Sequence, residues 1–97
     1  MTTETEWAGP ASALFRSLSN EQRLLILQHL RNGARTADEL SGLIGVTKPN
    51  LTTHLQRLVR DHFVTTRREA RIIIYSLARD DVFIVLDAAR EMFEGRD

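Results

Sequence analysis

The run Lys48-Pro49-Asn50-Leu51-Thr52-Thr53-His54-Leu55-Gln56-Arg57 holds a dense set of short hydrogen-bonding side chains. Leu51, Leu55 and Leu58 recur at i, i+4 and i+7, so on a helix they share one face and leave Lys48, Asn50, Thr52, Thr53, Gln56 and Arg57 elsewhere. Those groups suit the edges of base pairs. An asparagine amide can make paired bonds to adenine, a lysine can donate to guanine, and a threonine can contact base or phosphate. A short way downstream, Arg67, Arg68 and Arg71 surround a polar turn and suit phosphates or a narrow groove. Reaction chemistry is poorly served: there is no glycine-rich phosphate loop, no nucleophile motif and no His-Glu pair at metalloprotease spacing, so the chain is not expected to be an enzyme.

The charge distribution supports a polyanionic partner although the net charge of the 97 residues is zero. From Lys48 to Arg71 six cations face only Asp61 and Glu69, and the rest of the chain carries the compensating negative charge. One basic face on an acidic body lets a protein bind phosphates without a globally positive surface. An apolar content of 42% suits one compact domain. The absence of cysteine excludes disulfides, thiolate metal sites and thiol switches. The longest apolar run, Val82 to Leu86, is too short to span a bilayer, and the acidic start Met1-Thr2-Thr3-Glu4-Thr5-Glu6 is unlike a signal peptide, so a soluble, cytoplasmic protein without membrane contact is expected.

These side chains need a scaffold, and the periodicity supplies one. Residues 1–9 read as a loose arm ending at Gly9-Pro10, with the domain filling 10–97. Leu14, Phe15 and Leu18 mark a first helix. Asn20 caps a second, lined by Leu24, Leu25, Leu27 and Leu30 and stopped at Gly33. Thr36-Ala37-Asp38-Glu39 forms a capping box opening a third helix with Leu40, Leu43 and Ile44 buried. Gly45-Val46 turns the chain before Thr47 caps a fourth, with Pro49 in its first turn where no amide donor is missed. Alternation from Phe63 to Arg67 and from Arg71 to Leu77 predicts a hairpin turning at Arg68-Glu69-Ala70. Asp80-Asp81 precedes a last helix that is apolar from Val82 to Phe93 on more than one side. The fold class is therefore mainly α with a β-hairpin wing, in the order α-α-α-α-β-β-α: a winged helix-turn-helix.

From Phe15 to Phe93 the residues resemble the ArsR/SmtB regulators. Leu18-Ser19-Asn20-Glu21-Gln22-Arg23-Leu24 is similar to that family's second-helix entry, Thr52-Thr53-His54-Leu55-Gln56-Arg57-Leu58 to its recognition helix, and Val64 to Arg71 followed by Tyr75-Ser76-Leu77 to its wing. The resemblance implies a homodimer joined through first and last helices, most often a repressor that an inducer releases from an inverted-repeat operator in double-stranded DNA. Thr47, Lys48, Asn50, Thr52, Thr53, His54, Gln56 and Arg57 are then expected at the recognition helix, Arg67, Arg68 and Arg71 at the wing, and Thr36 at the DNA backbone. The dimer interface is expected from Leu14, Phe15, Leu18, Val82, Val85, Leu86, Ala89, Met92 and Phe93, because the last helix carries more apolar surface than one stripe can bury.

The sequence departs from the family at its sensing sites. Thr36 and Asp38 stand where many members have a Cys-x-Cys pair, and Asp81 is followed by Val82 and Phe83 with no histidine after His62. No cofactor and no metal are expected, and the effector, if the chain has one, is left open. Two alternatives remain: a winged helix used for protein-protein contact, and a metal-responsive regulator with ligands drawn from His29, His62 and carboxylates such as Asp87 and Glu91. His54 is read chiefly as a packing or phosphate-contact residue.

Overall fold

The structure, a computed structural model, describes residues 4–94. Its elements are α1 (Ala8–Leu18), α2 (Glu21–Leu30), β1 (Arg35–Thr36), α3 (Ala37–Ile44), α4 (Lys48–Arg60), β2 (Val64–Glu69), β3 (Ile72–Leu77) and α5 (Val82–Glu94). Helix α1 begins at Ala8, ahead of the boundary expected at Gly9-Pro10. A proline in the first turn forfeits no helical hydrogen bond, so Pro10 lies inside the helix rather than before it. Residues 1–3 of the expected arm lie outside the described residues.

Local chemistry sets most of the boundaries. The Asn20 side chain accepts from the Arg23 amide at 3.1 Å and opens α2. At the far end of α4, His62 adopts φ +67° while its amide donates to Val59 O and the Phe63 amide reaches back to Leu58 O. That pair of bonds is a Schellman motif, which ordinarily places glycine at the left-handed position. The chain turns there directly into the wing.

The wing belongs to a three-stranded antiparallel sheet in the order β1-β3-β2. Sequence periodicity missed β1, a pairing of only two residues, Arg35 with Tyr75 and Thr36 with Ile74. The hairpin itself turns later than expected, at Ala70-Arg71 between the paired residues Glu69 and Ile72, with Ala70 at φ +56°. Of β2 only Val64 is buried; Thr65 to Glu69 are exposed on both faces because the hairpin projects beyond the helical body.

Ile26, Leu27, Leu40, Leu51, Leu55 and Leu58 form a fully buried centre, closed by Leu18, Leu30, Phe63, Val64, Tyr75, Val82, Phe83 and Leu86. Burial of this apolar set is the main stabilising term of the fold. Three expectations change here. In α3 Leu40 is buried and Ile44 half-buried, but Leu43 faces solvent because it lies off the side of the helix that meets the core. In α2 the core positions are Ile26, Leu27 and Leu30, while Leu24 and Leu25 are partly open to solvent. In α5 the inward face is Val82, Phe83 and Leu86, whereas Ile84, Met92 and Phe93 are exposed, Phe93 to 86%.

Candidate nucleic-acid interface

The helix-turn-helix is fixed at the start of α3 and again at the turn into α4. Thr36 and Glu39 complete the expected capping box, with the Thr36 amide donating to Glu39 Oε1 at 2.8 Å and the Glu39 amide donating to Thr36 Oγ1 at 3.1 Å. Those contacts, led by the bond from the Thr36 backbone, hold the Glu39 carboxyl below its ordinary value. The Thr36 hydroxyl oxygen thus accepts from its own helix, and its O–H retains a donor. Gly45 reverses the chain at φ +83°, and the Ser41 hydroxyl donates to Val46 O. Thr47 then stands at the N-cap of α4 in extended conformation with no capping bond from its side chain, which leaves that hydroxyl exposed at the helix start.

With Leu51, Leu55 and Leu58 inside, α4 presents Thr47, Lys48, Asn50, Thr53 and Gln56 to solvent, with Thr52 half-buried. The Thr52 and Thr53 hydroxyls donate to Lys48 O at 2.8 Å and Pro49 O at 3.3 Å, leaving their oxygens free to accept. Lys48 Nζ lies 3.1 Å from Asp38 Oδ1 in an exposed pair, which water and salt screen strongly.

His54 and Arg57 turn inward, away from the expected groove-facing set. The Arg23 guanidinium donates through Nε to Ser17 O at 2.6 Å and through NH1 to His54 Nδ1 at 3.3 Å. Burial, and then the neighbouring Arg23 charge, keep the imidazole below its ordinary value, so it is neutral with Nδ1 as acceptor. Arg57 Nε donates to Asp61 Oδ2 at 2.7 Å, and the same oxygen accepts from the Ser17 hydroxyl at 2.6 Å. The Ser17 bond first, then Arg57 against the opposing cost of burial, holds the Asp61 carboxyl at about 2. This network ties α1 and α2 to the recognition helix. Nothing in the sequence pattern singled out Ser17, Arg23 or Asp61.

On the wing Arg67 Nε pairs with Glu69 Oε2 at 2.9 Å, while Arg68 and Arg71 are exposed and make no ion pair among the described residues. Of the nine residues expected at a dimer interface, Leu18, Val82 and Leu86 are instead buried in the protomer's own core, because they sit on the faces of α1 and α5 that meet the body. Leu14 and Val85 are half-buried; Phe15, Ala89, Met92 and Phe93 are exposed. Leu24 and Leu25 of α2 join Phe15, Val85 and Ala89 along one apolar groove. Among the described residues no three His, Asp or Glu side chains come together as a metal site would require. Asp87, one of the carboxylates considered for such a site, is held by Arg31 in two bonds of 2.6 and 2.9 Å.

A capped helix-turn-helix, a second helix with its hydrogen-bonding face outward and an arginine-bearing hairpin beside it define a winged helix-turn-helix domain. Residues 18–67 match the helix-turn-helix domain family. The chain is 31% identical over 83 residues to the transcriptional activator HlyU of Vibrio cholerae, an alignment spanning 86% of this chain and 77% of the relative. Its structure superposes on NolR from Sinorhizobium fredii with a TM-score of 0.82 at 32% identity, over 96% of this chain and 94% of the other. It also superposes on the homodimeric winged helix-turn-helix domain of Mb0332 from Mycobacterium bovis, described as a possible ArsR-family regulator, with a TM-score of 0.79 at 25% identity over 100% and 94%. The chain belongs to the ArsR/SmtB family of winged helix-turn-helix transcriptional regulators. No helix among the described residues is long and apolar enough to cross a membrane.

Proposed function

We propose that this regulator acts as a homodimeric repressor, reading an inverted-repeat operator with α4 in successive major grooves and the wing on the flanking backbone. The observation that carries the reading is the outer face of α4. Thr47, Lys48, Asn50, Thr53 and Gln56 are exposed together opposite a fully buried leucine stripe, a surface of donors and acceptors without an apolar anchor. A protein-docking helix would instead centre on exposed large apolar side chains. Arg68 and Arg71, without ion pairs among the described residues, stand on the adjoining hairpin where phosphates would run. The exposed apolar face of α1, α2 and α5 supports the two-fold pairing that gives the operator its symmetry. The protein then has no catalytic task.

The test is selection of bound genomic fragments by purified protein, followed by footprinting and a salt series. A two-fold symmetric site and an affinity that falls steeply with salt are expected. Binding without symmetry, or independent of salt, would overturn the reading. One relative is named an activator, so a promoter reporter with the gene deleted decides direction: derepression supports a repressor, and loss of transcription overturns that part.

A further inference from the structure

A second concavity lies away from the outer face of α4. A cleft of about 610 Å³ opens between α1, the C-terminal end of α4 and the segment after β3. This volume falls in the range of roughly 300–1,000 Å³ typical of small-molecule sites. Its lining includes Arg16, Arg57, Arg60 and Arg79 with a single carboxylate, Asp61, beside the apolar Leu14 and Phe63.

The pairing within the cleft is incomplete. Arg57 is matched by Asp61 at 2.7 Å, and Arg79 is held by Asp81 in two bonds of 2.6 and 2.7 Å. Among the described residues Arg16 reaches only the Ser12 hydroxyl, at 2.9 Å, and Arg60 makes a long 3.4 Å contact to an Asp61 already engaged by Ser17 and Arg57. Two exposed guanidiniums therefore line one concavity without a carboxylate of their own, in a chain whose net charge is zero. Exposed Pro10 and Ala13 and half-buried Leu14 give the same concavity an accessible apolar side, while Phe63, 4% exposed and with the Arg79 guanidinium 5.6 Å from its ring centroid, lies behind the surface.

Of the residues expected at the dimer interface the cleft shares Leu14, and the rest of its lining lies apart from both proposed interfaces. Phe15, on the exposed apolar face, and Ser17, in the cleft, are two residues apart and hence about 200° around α1. Lys48 and Arg60 stand at opposite ends of α4, about 18 Å apart at the rise of an α-helix.

From this arrangement we propose that the cleft binds a small organic anion, its acid group held by Arg16 and Arg60 and its apolar body against Pro10, Ala13 and Leu14. Arginine forks match planar carboxylates, and an adjoining apolar wall selects an organic acid over a bare inorganic anion. Such a ligand would sit beside the Ser17–Asp61–Arg57 bonds and bias the placement of α4 relative to α1. Ligand binding stands apart from the DNA-binding reading; only its regulatory consequence rests on it.

The experiment is calorimetric titration of the free, full-length protein with benzoate, benzamide and inorganic phosphate at constant ionic strength. Saturable benzoate binding is expected, with benzamide at least about fivefold weaker for want of the charge and phosphate at least about fivefold weaker for want of the apolar body. Arg16→Gln and Arg60→Gln should each weaken benzoate about fivefold or more while retaining the parent melting temperature, whereas Arg31→Gln should not. No saturable benzoate binding at millimolar concentration, equal binding of phosphate, or unchanged affinity in both cleft variants would overturn the proposal. A drop in ligand-free operator affinity in Arg16→Gln or Arg60→Gln would also overturn it, by assigning those arginines to DNA phosphates. Failure to bind any DNA would sink the proposed function and leave the titration standing.

Discussion

Ser17 of α1 donates a hydrogen bond to the Asp61 carboxylate at the end of α4, Oγ to Oδ2 at 2.6 Å, across 44 positions of sequence. Ser17 is buried and Asp61 mostly so, and Arg57 completes the site. Replacing Ser17 by alanine leaves a partly buried carboxylate short of one donor, and should cost about 1–3 kcal/mol in urea unfolding. The carboxyl is drawn from 3.8 down to about 2, so its contribution is fully present above pH 4 and is lost as the pH falls through about 2. With solvent screening at this site the pH-dependent part is about 1–2 kcal/mol. Asp61→Asn should flatten the stability profile between pH 2 and 4; a profile unchanged from the parent would show that the bond does not carry the effect.

His54 titrates in the same direction at higher pH. Its folded value lies below the ordinary 6.5, with burial the larger cause and Arg23 the second. The unfolded chain therefore binds the proton more readily, and stability should decline as the pH drops below 6.5. His54→Gln retains a neutral acceptor for Arg23 without a titrating ring. Its unfolding free energy should vary less than the parent's between pH 7 and 5, measured by urea titration at each pH.

The left-handed His62 offers a stabilising substitution. A non-glycine residue at φ +67° carries steric cost, and its imidazole is exposed. His62→Gly should raise stability by about 0.5–1 kcal/mol after the added freedom of the unfolded chain is counted. A lower melting temperature in that variant would mean the imidazole has packing value that the geometry does not reveal.

Base readout and phosphate contact should separate by variant. Asn50→Ala is expected to cost about 1–3 kcal/mol on the preferred site and to relax discrimination at one position. Arg68→Ala or Arg71→Ala should weaken all sequences alike and reduce the salt slope by about one. Competition assays with specific and random duplexes distinguish them, and equal losses for Asn50→Ala on both would reassign its amide to the backbone.

For dimerisation the informative substitutions are at the surface. Leu86→Glu would place a charge in the protomer's own core and test folding rather than association. Phe15→Glu should leave the folded protomer intact while putting an unpaired charge on the exposed apolar face. Light scattering should then report a monomer, with operator affinity lost together with the second half-site. A dimeric Phe15→Glu variant at micromolar concentration would remove this face from the interface.

The parts of this architecture that rest on short-range chemistry were legible beforehand. The Thr36–Glu39 box, the Asn20 cap, the Gly45 turn and the leucine stripe of α4 each involve residues within a few positions of one another. What escaped depends on partners distant in sequence. Two residues cannot signal a strand, so β1 emerges only from its pairing with Tyr75 and Ile74. Arg57 looked like a groove residue and His54 like a packing or phosphate-contact residue because helical spacing separates apolar from polar faces; it cannot reveal that Asp61 and Arg23 wait beside them. Leu24, Leu25 and Ile26 are all apolar, and only the placement of the elements packed on α2, namely α1, α3, α4 and β3, decides which are covered.

Thr36 serves two masters at once: its side chain closes the start of α3, and its backbone lies in register with Ile74 of the wing. A joint of this kind ties the hairpin to the helix-turn-helix through backbone and side chain alike, so the two form one reading head. In a paired assembly through the exposed apolar face, the distance between two such heads would be set by the elements behind them, α1, α2 and α5.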